Sequence, residues 1–187
     1  MDIARRIEGY DPYKVNFALA YPFMRPDGEF IFYRGACLPI GDVQADDNLA
    51  NWKVLQGQRE QTLGDILAAH GDKAPHLSDL KAVLAVGSNA SPIQLARKYG
   101  VDSSLVIPCL KAKVPGWTIR YCSQIAAYGS IPTTISQDEM VSNEMWVTFL
   151  DAEAAERMDY SETIGHYYEH VDIAELVLPR LHNLMLS

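Results

Sequence analysis

Leu80-Lys81-Ala82-Val83-Leu84-Ala85-Val86-Gly87-Ser88-Asn89-Ala90-Ser91-Pro92 is the stretch that organises this chain. The apolar run Leu80 to Val86 predicts a strand buried on both faces. Ser91 suits a helix N-cap and Pro92 the first helical position, and Gly100 closes that helix. Between strand and helix stand Gly87, Ser88 and Asn89. Their small side chains and free N–H groups, next to a helix N-terminus, can hold a carboxylate. The same three residues also make ordinary turn and capping chemistry.

Downstream, four β-type segments are expected at 104–114, 117–126, 131–136 and 140–150. Pro115-Gly116, residues 127–129 and 137–139 separate them. Asp151 can cap a short helix through Tyr160, and Tyr167 to Ile173 reads as a last strand. Upstream, residues 15–24 and 29–34 are rich in aromatic and aliphatic side chains. Arg25-Pro26-Asp27-Gly28 between them suits a hairpin turn. Leu49, Trp52, Leu55, Leu63, Ile66 and Leu67 recur near the 3.6 period and predict a helix over 46–70, against Gly57 and Gly64. The pattern is α+β, with a curled or barrel-like sheet. It divides into an N-terminal hairpin-and-helix extension, 1–79, and a main domain, 80–187.

The 187 residues suit one large domain, or one domain with an appendage, and 48% hydrophobic content fills a core. A formal net charge of -8 disfavours phosphate backbones and anionic lipid, so nucleic acid and membranes are not expected partners. The start of the chain has no apolar signal region. Cys37, Cys109 and Cys122 are odd in number and lack Cys-x-x-Cys spacing, which predicts buried thiols in a reducing, cytoplasmic compartment. His166 and His170 lack a third ligand at a useful spacing, so no metal is expected. Ser88 fails the nucleophile-elbow pattern, because Val86 and Ala90 stand where it needs glycine.

Residues 82–173 resemble the γ-glutamylcyclotransferase family. Gly87-Ser88-Asn89 match the last three residues of its Tyr-Gly-Ser-Asn signature, with Val86 in place of tyrosine. Val114 to Tyr121, carrying Trp117, is similar to a family strand. Pro132-Thr133-Thr134 falls where Pro-Ala-Thr is common, and Val141 and Trp146 fit the next strand. Asp159-x-x-Glu162 matches the family's Asp-x-x-Glu, with Thr163 where glycine usually follows. Tyr168, Val171 and Ile173 fit the strand after it.

The resemblance implies a small mixed β-barrel with flanking helices. It also implies a cofactor-free cyclotransferase acting on a small γ-glutamyl amide or peptide. In that chemistry the α-amine attacks the side-chain carbonyl, and 5-oxoproline and a free amine leave. Glu162 takes the acid/base role that the resemblance assigns. Val86, Gly87, Ser88 and Asn89 form the substrate-binding loop, with Asp159 and Tyr168 in support. Asp159, one helical turn before Glu162, is a neighbour able to raise its pKa. The substitutions at Val86 and Thr163, with the added N-terminal residues, leave a second reading: an inactive binding or assembly module that forms a homo-oligomer through residues 1–79.

Overall fold

A computed structural model of the chain describes residues 16, 18–21, 23–41, 46–125, 129–162, 169–173, 176–179 and 181. Its centre is an antiparallel sheet in the order β2-β1-β6-β7-β5. The strands are β1 (Phe30–Tyr33), β2 (Ala36–Pro39), β5 (Lys81–Ala85), β6 (Ile107–Tyr121) and β7 (Thr133–Leu150). A separate hairpin joins β3 (Lys53–Gln56) to β4 (Arg59–Thr62). The helices are α1 (Leu63–Ala68), α2 (Pro92–Tyr99) and α3 (Ala152–Ser161). The α+β class is thus what the chain forms. Every strand pairing is antiparallel, and β2 and β5 stand at the two ends of the strand order.

Strand alternation explains the layering, because successive side chains point to opposite faces. Phe30 and Phe32 on β1, with Ile107 and Cys109 on β6, enter a core closed by Leu95 and Tyr99 of α2 and Met158 of α3. Ile31 and Tyr33, with Leu110, Ala112 and Val114, enter a second core on the other face. That core is filled by Leu49, Trp52, Val54, Leu63, Leu67 and Leu77, together with Leu178 and Leu181. Side chains from both sides of the expected 79/80 boundary therefore share one core. The backbone crosses it as well: Phe30 pairs with Cys109 and Phe32 with Ile107.

Several expected elements differ. The N-terminal hairpin is β1–β2, turned at Arg34-Gly35 (φ 46 and 72), and not a pair of strands turned at residues 25–28. Two consecutive left-handed residues are what a tight two-residue hairpin turn requires. Residues 16 and 18–20 instead hold a helical turn, closed by Ala20 N–H donating to Asn16 O at 3.0 Å. The long helix over 46–70 is replaced by a 3-10 turn at Leu49–Asn51, the β3–β4 hairpin and α1. Gly57, at φ 64, supplies the turn that breaks it. Leu49, Trp52, Leu63, Ile66 and Leu67 are all buried, but Leu49 lies in the 3-10 turn, Trp52 just beyond it and the other three in α1. A periodicity of burial is not always a periodicity of helix.

The four expected middle strands merge into two. A bulge between Pro115 and Trp117 lets β6 run through the expected break, and Asn143 Nδ2 donates to Trp117 O across it at 2.9 Å. The polar stretch 137–139 continues β7, whose residues there are largely solvent-facing. β5 is an end strand with Lys81 and Ala82 exposed, not a strand buried on both faces. Residues 169–173 carry no strand, and Tyr167 and Tyr168 lie outside the described residues. Val177 exchanges both backbone hydrogen bonds with Lys113 at 2.8 and 3.0 Å. Cys109 is buried, whereas Cys37 and Cys122 are only partly so, and all three are free thiols. Among the described residues no helix is long and apolar enough to cross a membrane.

Candidate functional site

Ser91, Gln94 and Lys98 lie at i, i+3 and i+7 on α2 and its N-cap, so they share one helix face. All three are buried. Leu95 and Tyr99 beside them enter the apolar core, so this buried face is half polar. Each polar side chain reaches a different part of the molecule. Ser91 Oγ donates to Met24 O at 3.0 Å, and Gln94 Nε2 donates to Ser88 Oγ at 3.0 Å. Lys98 Nζ donates to Glu162 Oε1 at 2.5 Å, to Ser161 Oγ at 2.7 Å and to Met158 Sδ at 3.0 Å. One polar seam thus joins the N-terminal segment, the 86–89 loop and the end of α3.

The loop itself is tightly held. Thr133 Oγ1 donates to Val86 O at 3.1 Å, and Val86 also packs against the second core. A Cβ on Gly87 would come within 3.1 Å of both Thr133 Oγ1 and the Tyr21 hydroxyl, so only glycine fits without displacement. Arg25 Nη1 makes a long contact of 3.5 Å with Gly87 O. Ser88 is buried and Asn89 half-buried. Ser91 occupies the N-cap position, but no side chain caps the first turn of α2, because its hydroxyl is engaged with Met24. The positive end of that helix therefore lacks the N-cap side-chain acceptor that a serine there usually supplies.

Glu162 sits at the C-cap of α3, a helix started by Asp151 Oδ1 accepting from Ala154 N–H at 2.7 Å. Its side chain keeps 34% exposure, whereas that of Lys98 keeps 5%. Burial pushes the Lys98 pKa down, and the Glu162 carboxylate opposes part of that shift. The neighbour that the fold gives Glu162 is thus a cation. Asp159, expected to adjoin it, turns to His170 Nε2 at 3.0 Å. Tyr168, Thr163 and His166 lie outside the described residues. Among the described residues, no group of three His, Cys, Asp or Glu is placed to hold a metal.

Gln94, Lys98 and Arg25 were not singled out by the sequence. The first two stand at polar-compatible helical spacing, but only the fold shows that their face is the buried one. Arg25 reads as a turn residue. No family model, no curated protein and no solved structure matches this chain.

Proposed function

We propose that this chain is a cofactor-free cyclotransferase of the γ-glutamylcyclotransferase type, releasing 5-oxoproline from a small γ-glutamyl amide or peptide. The observation carrying this reading is the buried polar seam on α2, which ties Ser88 at one end and Glu162 at the other. Lys98 is seven residues beyond Ser91, about 10 Å along the helix axis. Helix side chains lean toward the N-terminus, so the Lys98 ammonium and its partner Glu162 lie nearer the loop than that rise implies. The interval suits a substituted glutamyl group. Loop N–H groups at the open end of α2 take the α-carboxylate, and the γ-carbonyl lies toward Glu162.

The chemistry then needs one proton carrier. Glu162, whose side chain pairs with the Lys98 ammonium, accepts a proton from the substrate α-ammonium. The freed amine nitrogen bonds to the γ-carbonyl carbon, closing the lactam ring. Glu162 returns that proton to the departing nitrogen as the carbon–nitrogen bond breaks, then takes the second proton from the ring nitrogen and passes it to the released amine, which leaves as an ammonium beside a neutral lactam. No water is consumed. Ring closure within one molecule gains from proximity.

A panel of γ-glutamyl amides and dipeptides assayed for 5-oxoproline tests this. Glu162→Gln should lower release by about 10²-fold or more. Undiminished release by that variant rejects the acid/base role. The Lys98–Glu162 pair also favours a second reading, in which it is a structural tie between α2 and α3 in a non-catalytic binding or assembly module. That reading predicts loss of stability in Glu162→Gln with no turnover by the wild-type chain.

A further inference from the structure

Tyr21, Met24 and Arg25, more than 60 residues upstream, lie directly on the 87–91 turn: Tyr21 against Gly87, Met24 O on Ser91 and Arg25 on Gly87 O. Arg25 is half-buried there. Its one recorded hydrogen-bond partner is that carbonyl at 3.5 Å, and no carboxylate among the described residues pairs with it. A guanidinium carries five donors in a planar fork matched to a carboxylate, so most of this one's donors are left to solvent or a ligand. Desolvation without a counter-ion is unfavourable, which the lowered Arg25 pKa also expresses.

An independent observation lies behind the loop. Gln94 is 2% exposed, and its Oε1 has no hydrogen-bond partner among the described residues, while its Nε2 is engaged with Ser88. Exchanging the amide oxygen and nitrogen would leave the nitrogen orphaned instead. Either way, one buried polar group against Ser88 is left over, at a place where such groups are normally satisfied.

We infer that Arg25 and Gln94 together recognise the zwitterionic head of an α-amino acid at the 87–89 loop, Arg25 taking its carboxylate and Gln94 its ammonium. This rests on the reading above only in placing a glutamyl group here, and adds the residues that select its head. A zwitterion supplies what the site lacks in both respects: an anion for the fork, and a donor for Gln94 Oε1. A plain carboxylic acid or a plain amine answers one need and leaves the other.

NMR titration of the full chain with L-glutamine, L-glutaminamide (α-carboxylate neutralised) and glutaramate (no ammonium) tests the assignment. Wild type should bind glutamine at least tenfold more tightly than either analogue. Arg25→Met should lose about tenfold for glutamine and most of its preference over glutaminamide, the loop N–H groups keeping the remainder. Arg25→Lys should recover part of the loss. Gln94→Met, close in volume, should cease to distinguish glutamine from glutaramate. Equal glutamine affinity in wild type and Arg25→Met, equal affinity of wild type for all three probes, or no binding of glutamine by wild type would each overturn the inference. Head-group selection without 5-oxoproline release rejects the cyclotransferase alone. Release with the KM of Arg25→Met unchanged rejects this inference alone.

Discussion

Lys98 is the residue on which most of the site's geometry depends. A lysine ammonium with 5% exposure is costly unless paired, and Glu162, Ser161 and Met158 surround it. Lys98→Met removes the charge while keeping the stem's apolar packing. The expected cost is about 2 kcal/mol, less than for a fully buried pair, because Glu162 retains water. The pH dependence has a definite sign. The folded pKa of Lys98 is lowered, so the unfolded chain binds more protons between that value and the ordinary lysine value, about 10.4. Its contribution therefore favours folding increasingly as pH rises through that window. Denaturant melts of wild type and Lys98→Met from pH 7 to 10 should show the wild-type advantage growing with pH. An advantage that shrinks would mean that Glu162's attraction, not desolvation, dominates.

At the scale of elements, α3 determines where Glu162 stands. Its start is fixed by Asp151, whose carboxylate accepts from Ala154 N–H, and its end by Glu162 N–H donating to Met158 O at 3.0 Å. Asp151→Ala should cost about 1 kcal/mol, the usual worth of an N-cap, read as a lowered melting temperature. Local signals of this kind were legible in the sequence. Asp151, the Ser91-Pro92 start of α2 and Gly100 at its end mark real boundaries, although only Asp151 caps with its side chain, the Ser91 hydroxyl being drawn to Met24. What was not legible depended on partners far along the chain. Leu49 and Trp52 look helical because the core they enter repeats at a similar interval, and nothing local states that Gly57 reverses the chain. Pro115-Gly116 reads as an end of strand, yet pairing with β7 carries β6 across it. The loop Gly87-Ser88-Asn89 was visible as a motif, but its tie to Glu162 runs through Gln94 and Lys98, whose burial only the packed helix reveals.

For the molecule as a whole, the decisive fact is that Ile31, Leu49, Trp52, Leu63 and Leu77 fill the same core as Leu110, Val114, Val147 and Leu181. Trp52, 1% exposed, packs there with its indole N–H donating to Asp46 O at 2.8 Å. A fragment of residues 80–187 would lose β1 from the side of β6 and expose the face bearing Leu110, Ala112 and Val114. We expect it to show no cooperative thermal transition and no dispersed amide spectrum. A sharp transition would establish that the C-terminal part folds alone. Arg25 meets Gly87 across 62 residues, and Ser91 meets Met24 across 67. Closing loops of that size is entropically slow compared with forming a helix or hairpin. A chain still being synthesised can therefore hold its local hairpins while Met24 and Arg25 have yet to meet the 87–91 turn, a contact made only once distant parts of the chain have docked.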